Sequence, residues 1–153
     1  MKIEDQTKCL MLSLPNDPQY GVLLRKFVSW VAMLEQFDVK AIEDIEWAVD
    51  EAFTNALQHG VPTVDGQEVI TICIYPLQDS IEITVHDSGN GFDPEAVKCR
   101  QEEDARDCEF DLAECGRGLD LIAASMDVLH YDRVPDGTRV RMVKHRRTEA
   151  EGT

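Results

Sequence analysis

The first half of the chain spaces its apolar residues in a way that predicts one strand followed by two helices. Thr7–Leu14 alternates weakly and is interpreted as a strand, whereas Pro18–Gln36 carries a wide apolar stripe at helical spacing. Asp38 is placed to cap a second helix that runs to His59, with Gly60 as its stop signal. Along this second helix the apolar residues fall on one stripe that must face a core: Ile42, Ile45, Val49, Ala52, Phe53 and Ala56.

The second half is dominated by strand patterns. Glu68–Tyr75 and Ser80–His86 both alternate, and the short connection Pro76–Asp79 between them predicts a hairpin. A glycine-rich loop follows at Asp87–Asp93, and a short helix is expected over Leu119–Met126.

Two further strands close the predicted order. They lie near Val128–Arg133 and Thr138–His145 and are joined at Pro135-Asp136-Gly137. The order is then β-α-α-β-β-loop-α-β-β. Short connections between strands predict a mainly antiparallel sheet, and the few helices must cover one of its faces. We therefore predict an α+β fold, a two-layer α/β sandwich.

Length and composition predict one globular domain. The 153 residues suit a single domain over 1–153, with a core over about 7–145. No apolar run approaches the ~20 residues that a membrane span needs, and the N-terminus is polar and acidic, so we expect a cytoplasmic protein without a membrane partner. The five cysteines form no C-x-x-C pair, which argues against a disulfide framework or a zinc ribbon. A role for the clustered Cys99, Cys108 and Cys115 stays open.

The net charge of −15 changes the expected partners. Such a surface repels a phosphate backbone, which argues against direct binding of nucleic acid. It would attract a basic protein, although solubility alone could also account for the charge.

Glu51 and Asn55 are the first candidate site residues. They are four apart on the second helix, so they share one side of it, off the apolar stripe. A neutral Asn ligand leaves room on Mg²⁺ for waters and substrate phosphates, and Glu51 could accept a proton. The alternative is an ordinary solvated pair on a helix surface.

Two glycine-containing loops provide further candidates. Asp87-Ser88-Gly89-Asn90-Gly91 follows a strand, so its carboxylate could accept a hydrogen bond from an amino-substituted base while the glycines let the backbone approach a ligand. Gly116-Arg117-Gly118-Leu119 opens a helix, whose free N–H groups can bind phosphate. Either segment alone could be a simple turn. Between them runs a long acidic stretch, over about 92–115, which we interpret as a flexible lid.

The three motifs occur in one order within one domain: E-x-x-x-N on a helix, D-x-G-x-G after a strand, and G-x-G opening a helix. This combination resembles the GHKL (Bergerat-type) ATPase superfamily from about Pro15 to Lys144. The resemblance implies ATP and Mg²⁺ as cofactors, bound between the helices and the lid. It also agrees with the antiparallel α+β prediction.

The resemblance implies a role for each motif residue. Glu51 would be the catalytic general base and Asn55 the Mg²⁺ ligand. Asp87 would contact the adenine amino group, in a loop that Gly89 and Gly91 shape. The remaining nucleotide-binding residues would be His59 in Gln58-His59-Gly60, Gly116, Arg117, Gly118 and Leu119 beside the phosphates, and Thr138 on the adenine side.

Within the superfamily, the chain resembles the small anti-sigma factors with serine/threonine-protein kinase activity. The resemblance rests on Glu51-Ala52-Phe53-Thr54-Asn55-Ala56 and on Gly116-Arg117-Gly118-Leu119-Asp120-Leu121-Ile122. It implies a homodimer that sequesters a sigma factor and phosphorylates a small antagonist (anti-anti-sigma) protein. Asp120 stands where the family commonly has an apolar or aromatic residue, which bears on kinase efficiency. Two alternatives stay open: a nucleotide-sensing anti-sigma adaptor without significant kinase activity, and a detached histidine-kinase ATPase domain.

Overall fold

The computed structural model describes residues 8–59, 69–87, 122–134 and 137–147. Five strands form one sheet in the order β1-β2-β3-β5-β4, and every neighbouring pair is antiparallel. The strands are β1 (Leu10–Pro15), β2 (Val69–Pro76), β3 (Ser80–Asp87), β4 (Val128–Val134) and β5 (Gly137–His145). The helices are α1 (Gly21–Leu34), which follows a short 3-10 turn at Pro18–Tyr20, and α2 (Val39–His59). The predicted α+β architecture is confirmed.

The period-two alternation of the strands separates the two faces of the sheet. The inward side chains of the central strands are fully or almost fully buried: Ile70, Ile72, Ile74, Ile81, Ile83, Val85, Val140 and Met142. They form one core with the apolar stripes of α1 and α2. The opposite face carries charge, since the Arg141 guanidinium donates to Glu82 Oε1 at 2.9 Å and to Oε2 at 3.3 Å. The helices therefore cover one face of the sheet, as the alternation predicts.

The start of α2 is determined by the cap that the sequence predicts. Asp38 Oδ1 accepts a hydrogen bond from the Ala41 backbone N–H at 2.7 Å, which satisfies one of the free N–H groups of the first turn. Ile45, Val49, Ala52, Phe53 and Ala56 of the predicted stripe are buried, and Ile42 packs against them at the edge. Burying this stripe against the sheet is what holds α2 in place.

A partly buried ion pair ties the first turns of α2 to the end of β5. Lys144 Nζ lies 3.1 Å from Asp44 Oδ2 and donates to the Ser125 carbonyl oxygen at 2.7 Å. Burial opposes ionisation of Asp44, but hydrogen bonds from Lys40 and Lys144 outweigh it and lower the pKa of this carboxyl. Through its hydrogen bond to the Ser125 carbonyl, Lys144 also contacts the helical turn at residues 122–125. This turn lies within the predicted short helix.

Element boundaries differ from the predictions by a few residues. The helix predicted over Pro18–Gln36 is divided into a 3-10 turn and α1, and it ends two residues early. The third strand includes Asp87, which the sequence pattern placed at the start of a loop. The acidic lid predicted over about 92–115 lies outside the described residues.

Candidate functional site

Four of the predicted site residues have described side chains: Glu51, Asn55, Asp87 and Thr138. For His59 only the position at the end of α2 is described. The others lie outside the described residues: Gly89, Gly91, Gly116, Arg117, Gly118 and Leu119. The described part of the predicted site therefore consists of two positions on α2 and of the paired ends of β3 and β5.

Asn55 belongs to the buried side of α2. Its exposed fraction is 4%, and the neighbouring Ala48 is fully buried, so the solvated-pair interpretation is wrong for this residue. The covered face of α2 is wider than the predicted apolar stripe, since it also includes Ala48 and Asn55. A buried carboxamide needs a polar partner or a ligand, so its placement favours a functional role.

Glu51 lies one turn before Asn55 and is half-buried. Burial disfavours its charged form and, with the neighbouring Asp50 carboxylate, raises the pKa of Glu51 above the ordinary 4.5. A carboxylate with a raised pKa binds a proton more readily, which suits a general base that works near neutral pH.

Asp50 was not among the predicted site residues, although the sequence signal was present. Two acidic residues stand side by side at Asp50-Glu51, and the Asp50 carboxylate is close enough to raise the pKa of Glu51. Asp50 also lies 3.6 Å from the Arg25 guanidinium of α1. It is therefore a second carboxylate on which the protonation of Glu51 depends.

Asp87 and Thr138 meet on neighbouring strands. Asp87, the last residue of β3, is directly opposite Thr138 at the start of β5. Their side chains share the inward face, and they are 3% and 1% exposed. Two polar residues thus replace the aliphatic side chains of the core at this end of the sheet. The sequence motifs that named them lie far apart in the chain, and strand pairing brings them together.

The course of α2 directs Asn55 toward the same end of the sheet. The helix starts over the end of β5, as the Lys144–Asp44 contact shows, and it packs along β3 and β5. Its second half therefore extends toward the opposite end of β5, where Asp87 and Thr138 lie. We infer from this course that Asn55 and the paired residues Asp87 and Thr138 lie toward the same end of the sheet.

The polar groups in this region fit a purine nucleotide. Thr138 Oγ1 is buried and has no hydrogen-bond partner among the described residues, so it is available to a ligand. Asp87 offers carboxylate oxygens to an amino group, and Asn55 offers a neutral oxygen of the kind that Mg²⁺ accepts. These groups are of the kinds that ATP and Mg²⁺ require, and their roles stay predictions.

The cysteines and the apolar character of the helices are two further features that lie outside this region. Cys9 and Cys73 are free thiols, while Cys99, Cys108 and Cys115 lie outside the described residues. Over the described ranges, neither helix combines the length and the apolar character required to cross a membrane.

Comparison with known proteins supports the ATP-binding interpretation of the sequence motifs. The family model for the histidine kinase-like ATPase domain matches residues 14–144. Serine-protein kinase RsbW of Listeria monocytogenes is 37% identical over 142 residues, which cover 89% of this chain and 86% of that protein. Serine-protein kinase RsbW of Staphylococcus aureus is 32% identical over 139 residues, covering 90% and 87% respectively.

Two solved structures share the fold. The RsbU and RsbW domains of a Mycobacterium tuberculosis protein match with a TM-score of 0.64 at 17% identity, over 92% of this chain and 33% of that one. The histidine kinase domain of a blue-light-activated kinase from Erythrobacter litoralis matches with a TM-score of 0.52 at 20% identity, over 86% of this chain and 61% of that one. Because the family model spans the region that holds all four described site residues, and because close relatives align over almost the whole chain, the chain belongs to the histidine kinase-like ATPase domain family.

Proposed function

We propose that this chain is an ATP-dependent serine/threonine-protein kinase of the anti-sigma type. It would sequester a sigma factor and phosphorylate a small antagonist protein. The observation that carries the proposal is the buried Asn55 one helical turn after a Glu51 whose pKa is raised, in a chain 37% identical to a protein named serine-protein kinase RsbW. Sigma factors act in the cytoplasm, so we propose the same location for this chain.

Each described residue has one task in this proposal. Asn55 would hold Mg²⁺ through its side-chain oxygen. Asp87 would accept a hydrogen bond from the adenine amino group, and the Thr138 hydroxyl would support it from the next strand. His59 and the glycine loops at Gly89, Gly91, Gly116 and Gly118, with Arg117 and Leu119, would complete the nucleotide pocket.

Glu51 is the proposed general base. When bound, Mg-ATP would supply a transferable phosphoryl group and leave as ADP, and its Mg²⁺ would neutralise part of the phosphate charge. The Glu51 carboxylate would take the proton from the hydroxyl of the antagonist's serine or threonine as that oxygen becomes a nucleophile. The partly desolvated position of Glu51 favours this uptake of a proton.

The test uses labelled ATP and candidate antagonist proteins. We expect acid-stable label on a serine or threonine of the antagonist. Glu51→Ala should abolish the transfer while leaving nucleotide affinity within about twofold, because the base acts on the acceptor hydroxyl. Glu43→Ala, which removes an exposed carboxylate from the same helix, is the matched control and should leave transfer unchanged.

The outcome separates this proposal from its alternatives. Acid-labile label on a partner histidine would indicate a detached histidine-kinase ATPase domain. Nucleotide-dependent capture of a sigma factor without label on any antagonist would indicate an adaptor. Undiminished transfer by Glu51→Ala would remove Glu51 as the base. The homodimer that the resemblance implies stays a prediction, which sedimentation velocity would test.

A further inference from the structure

We propose that a cationic cleft at the opposite end of β5 docks a short acidic segment of a protein partner. The cleft has a volume of about 620 Å³ and lies between the first turns of α2 and the residues that follow the core of β5. Its cations are Lys40, Lys144, Arg146 and Arg147. Lys144 is six residues from Thr138, roughly 20 Å along an extended strand, so the cleft is separate from the proposed nucleotide site.

The net charge of the cleft is opposite in sign to the net charge of the chain. Four lysine and arginine side chains line it against two aspartates, Asp38 and Asp44, whereas the chain as a whole carries −15. Both aspartates already have partners inside the protein. Asp38 caps α2 through the Ala41 N–H, and Asp44 accepts hydrogen bonds from Lys40 at 2.8 Å and from Lys144 at 3.1 Å.

The two arginines retain hydrogen-bonding capacity. Arg146 stacks over the Phe37 ring at 5.2 Å, lies 3.8 Å from Glu35 and donates to the Gln78 carbonyl oxygen at 3.4 Å, and its buried Nε has no hydrogen-bond partner among the described residues. Arg147 is exposed and forms no ion pair with any residue in the described ranges. A guanidinium is well suited to paired hydrogen bonds with a carboxylate.

The composition of the cleft favours a peptide as the occupant. Phe37 and Ala41 contribute apolar surface beside the arginines, so a segment that combines carboxylates with apolar side chains matches both features. A nucleic acid would place phosphates beyond the four cations, over a surface that carries the strong negative charge of the remaining chain. The cleft thus selects for a short run of negative charge. This inference does not depend on kinase activity.

The test measures binding of a labelled octaglutamate peptide to the full chain by fluorescence anisotropy at low salt, with an octaglutamine peptide as the neutral control. We expect binding of the glutamate peptide only. Arg147→Glu should weaken it by at least about fivefold, because reversing an exposed charge changes the binding free energy by roughly 1 kcal/mol. Arg146→Ala should weaken it similarly, and added salt should weaken it further.

Lys26→Glu is the matched control, since it reverses an exposed charge on α1 away from the cleft. It should change the affinity by less than about twofold. Thermal unfolding of each variant establishes that the fold is retained, and replacing Arg147 removes no ion-pair partner within the described ranges. Equal weakening by Lys26→Glu and Arg147→Glu would overturn the proposal, as would a failure of the glutamate peptide to bind.

Two other occupants give distinct results that also overturn the proposal. An eight-phosphate single-stranded oligonucleotide that binds more tightly than the peptide, and is released by Arg147→Glu, would assign the cleft to nucleic acid. Self-association that Arg147→Glu abolishes, without peptide binding, would assign it to a second copy of the chain. Neither result depends on the transfer of phosphate, so the proposed function is tested separately.

Discussion

Asn55, Asp87 and Thr138 place polar side chains where the rest of the inward face is aliphatic. Each is at most 4% exposed, and the Thr138 hydroxyl has no hydrogen-bond partner among the described residues, which costs free energy. A nucleotide bound at this end of the sheet would supply that hydroxyl with a partner. Glu51, half-buried beside them on α2, provides the ionisable group.

The first residue-scale prediction concerns pH. Because burial and Asp50 raise the pKa of Glu51, the acidic limb of the kcat/KM profile for phosphorylation should lie above pH 4.5, the ordinary pKa of a glutamate. Asp50→Asn removes the neighbouring charge, so it should lower the Glu51 pKa and move the limb to lower pH. The measurement is kcat/KM against pH for both proteins.

The control for this profile is Glu43→Gln. It removes the same charge from α2 about 12 Å away along the helix axis, where screening makes its influence on Glu51 small. An acidic limb that stays in place in Asp50→Asn, or that moves equally in Glu43→Gln, would contradict the assigned cause.

The second prediction concerns the Thr138 hydroxyl. Thr138→Val keeps the shape of the side chain and removes a buried oxygen that has no partner among the described residues. The free energy of unfolding without nucleotide should therefore stay constant or rise by about 1 kcal/mol. ATP affinity should fall by about tenfold, since one hydrogen bond to the ligand is lost.

Chemical denaturation and calorimetric titration measure these two effects. Thr138→Ser retains the hydroxyl and should keep ATP affinity near that of the unmodified chain. If Thr138→Val lowers stability without nucleotide and leaves affinity intact, the hydroxyl has a structural role instead.

At the scale of elements, the end of α1 shows how the connection to α2 is shaped. The Phe37 N–H donates to the Ala32 carbonyl at 3.1 Å and the Gln36 N–H donates to that of Met33 at 3.0 Å, a Schellman arrangement. Gln36 has a φ of 63°, in the left-handed region that favours glycine. This turn carries Phe37 back to the core, where the ring is buried and supports Arg146.

The turn leads to a prediction about stability. Gln36→Gly should raise the free energy of unfolding by about 1 kcal/mol, because glycine adopts the left-handed conformation without the steric cost of a Cβ atom. Urea denaturation measures the change. Lys26→Gly, in the exposed interior of α1, should lower the same quantity by about 1 kcal/mol. A loss of stability in Gln36→Gly would show that the glutamine side chain contributes more than its backbone strain removes.

At the scale of the whole molecule, the antiparallel sheet separates two kinds of chemistry along β5. Thr138 lies at one end beside Asp87, and Lys144 lies at the other beside Asp44. The helix α2 packs along β5, so the proposed nucleotide site and the proposed docking cleft share this pair of elements. A ligand at either end would contact groups on the same helix and the same strand.

Much of the fold was predictable because hydrophobic periodicity is a local signal. The alternation of Ile70, Ile72 and Ile74 determines which face of β2 is buried, and Asp38 followed by the apolar stripe determines where α2 begins. The motif order likewise indicates Glu51 and Asn55. In contrast, the C-terminal end of α1 depends on the turn at Gln36, which no periodicity reveals.

Only the tertiary structure decided which polar residues are buried and which lie together. Asn55 and Glu51 are four apart on the same helix, yet Asn55 is buried whereas Glu51 is half-exposed, because burial depends on what packs against each position. Asp87 and Thr138 are paired through strand register, and Arg146 and Arg147 join Lys40 through the packing of α2 on the sheet. The sequence by itself determined the elements and the nucleotide motifs, since these follow from local spacing. The pKa of Glu51, the unsatisfied Thr138 hydroxyl and the cationic cleft arise from contacts between distant segments, which only the folded chain creates.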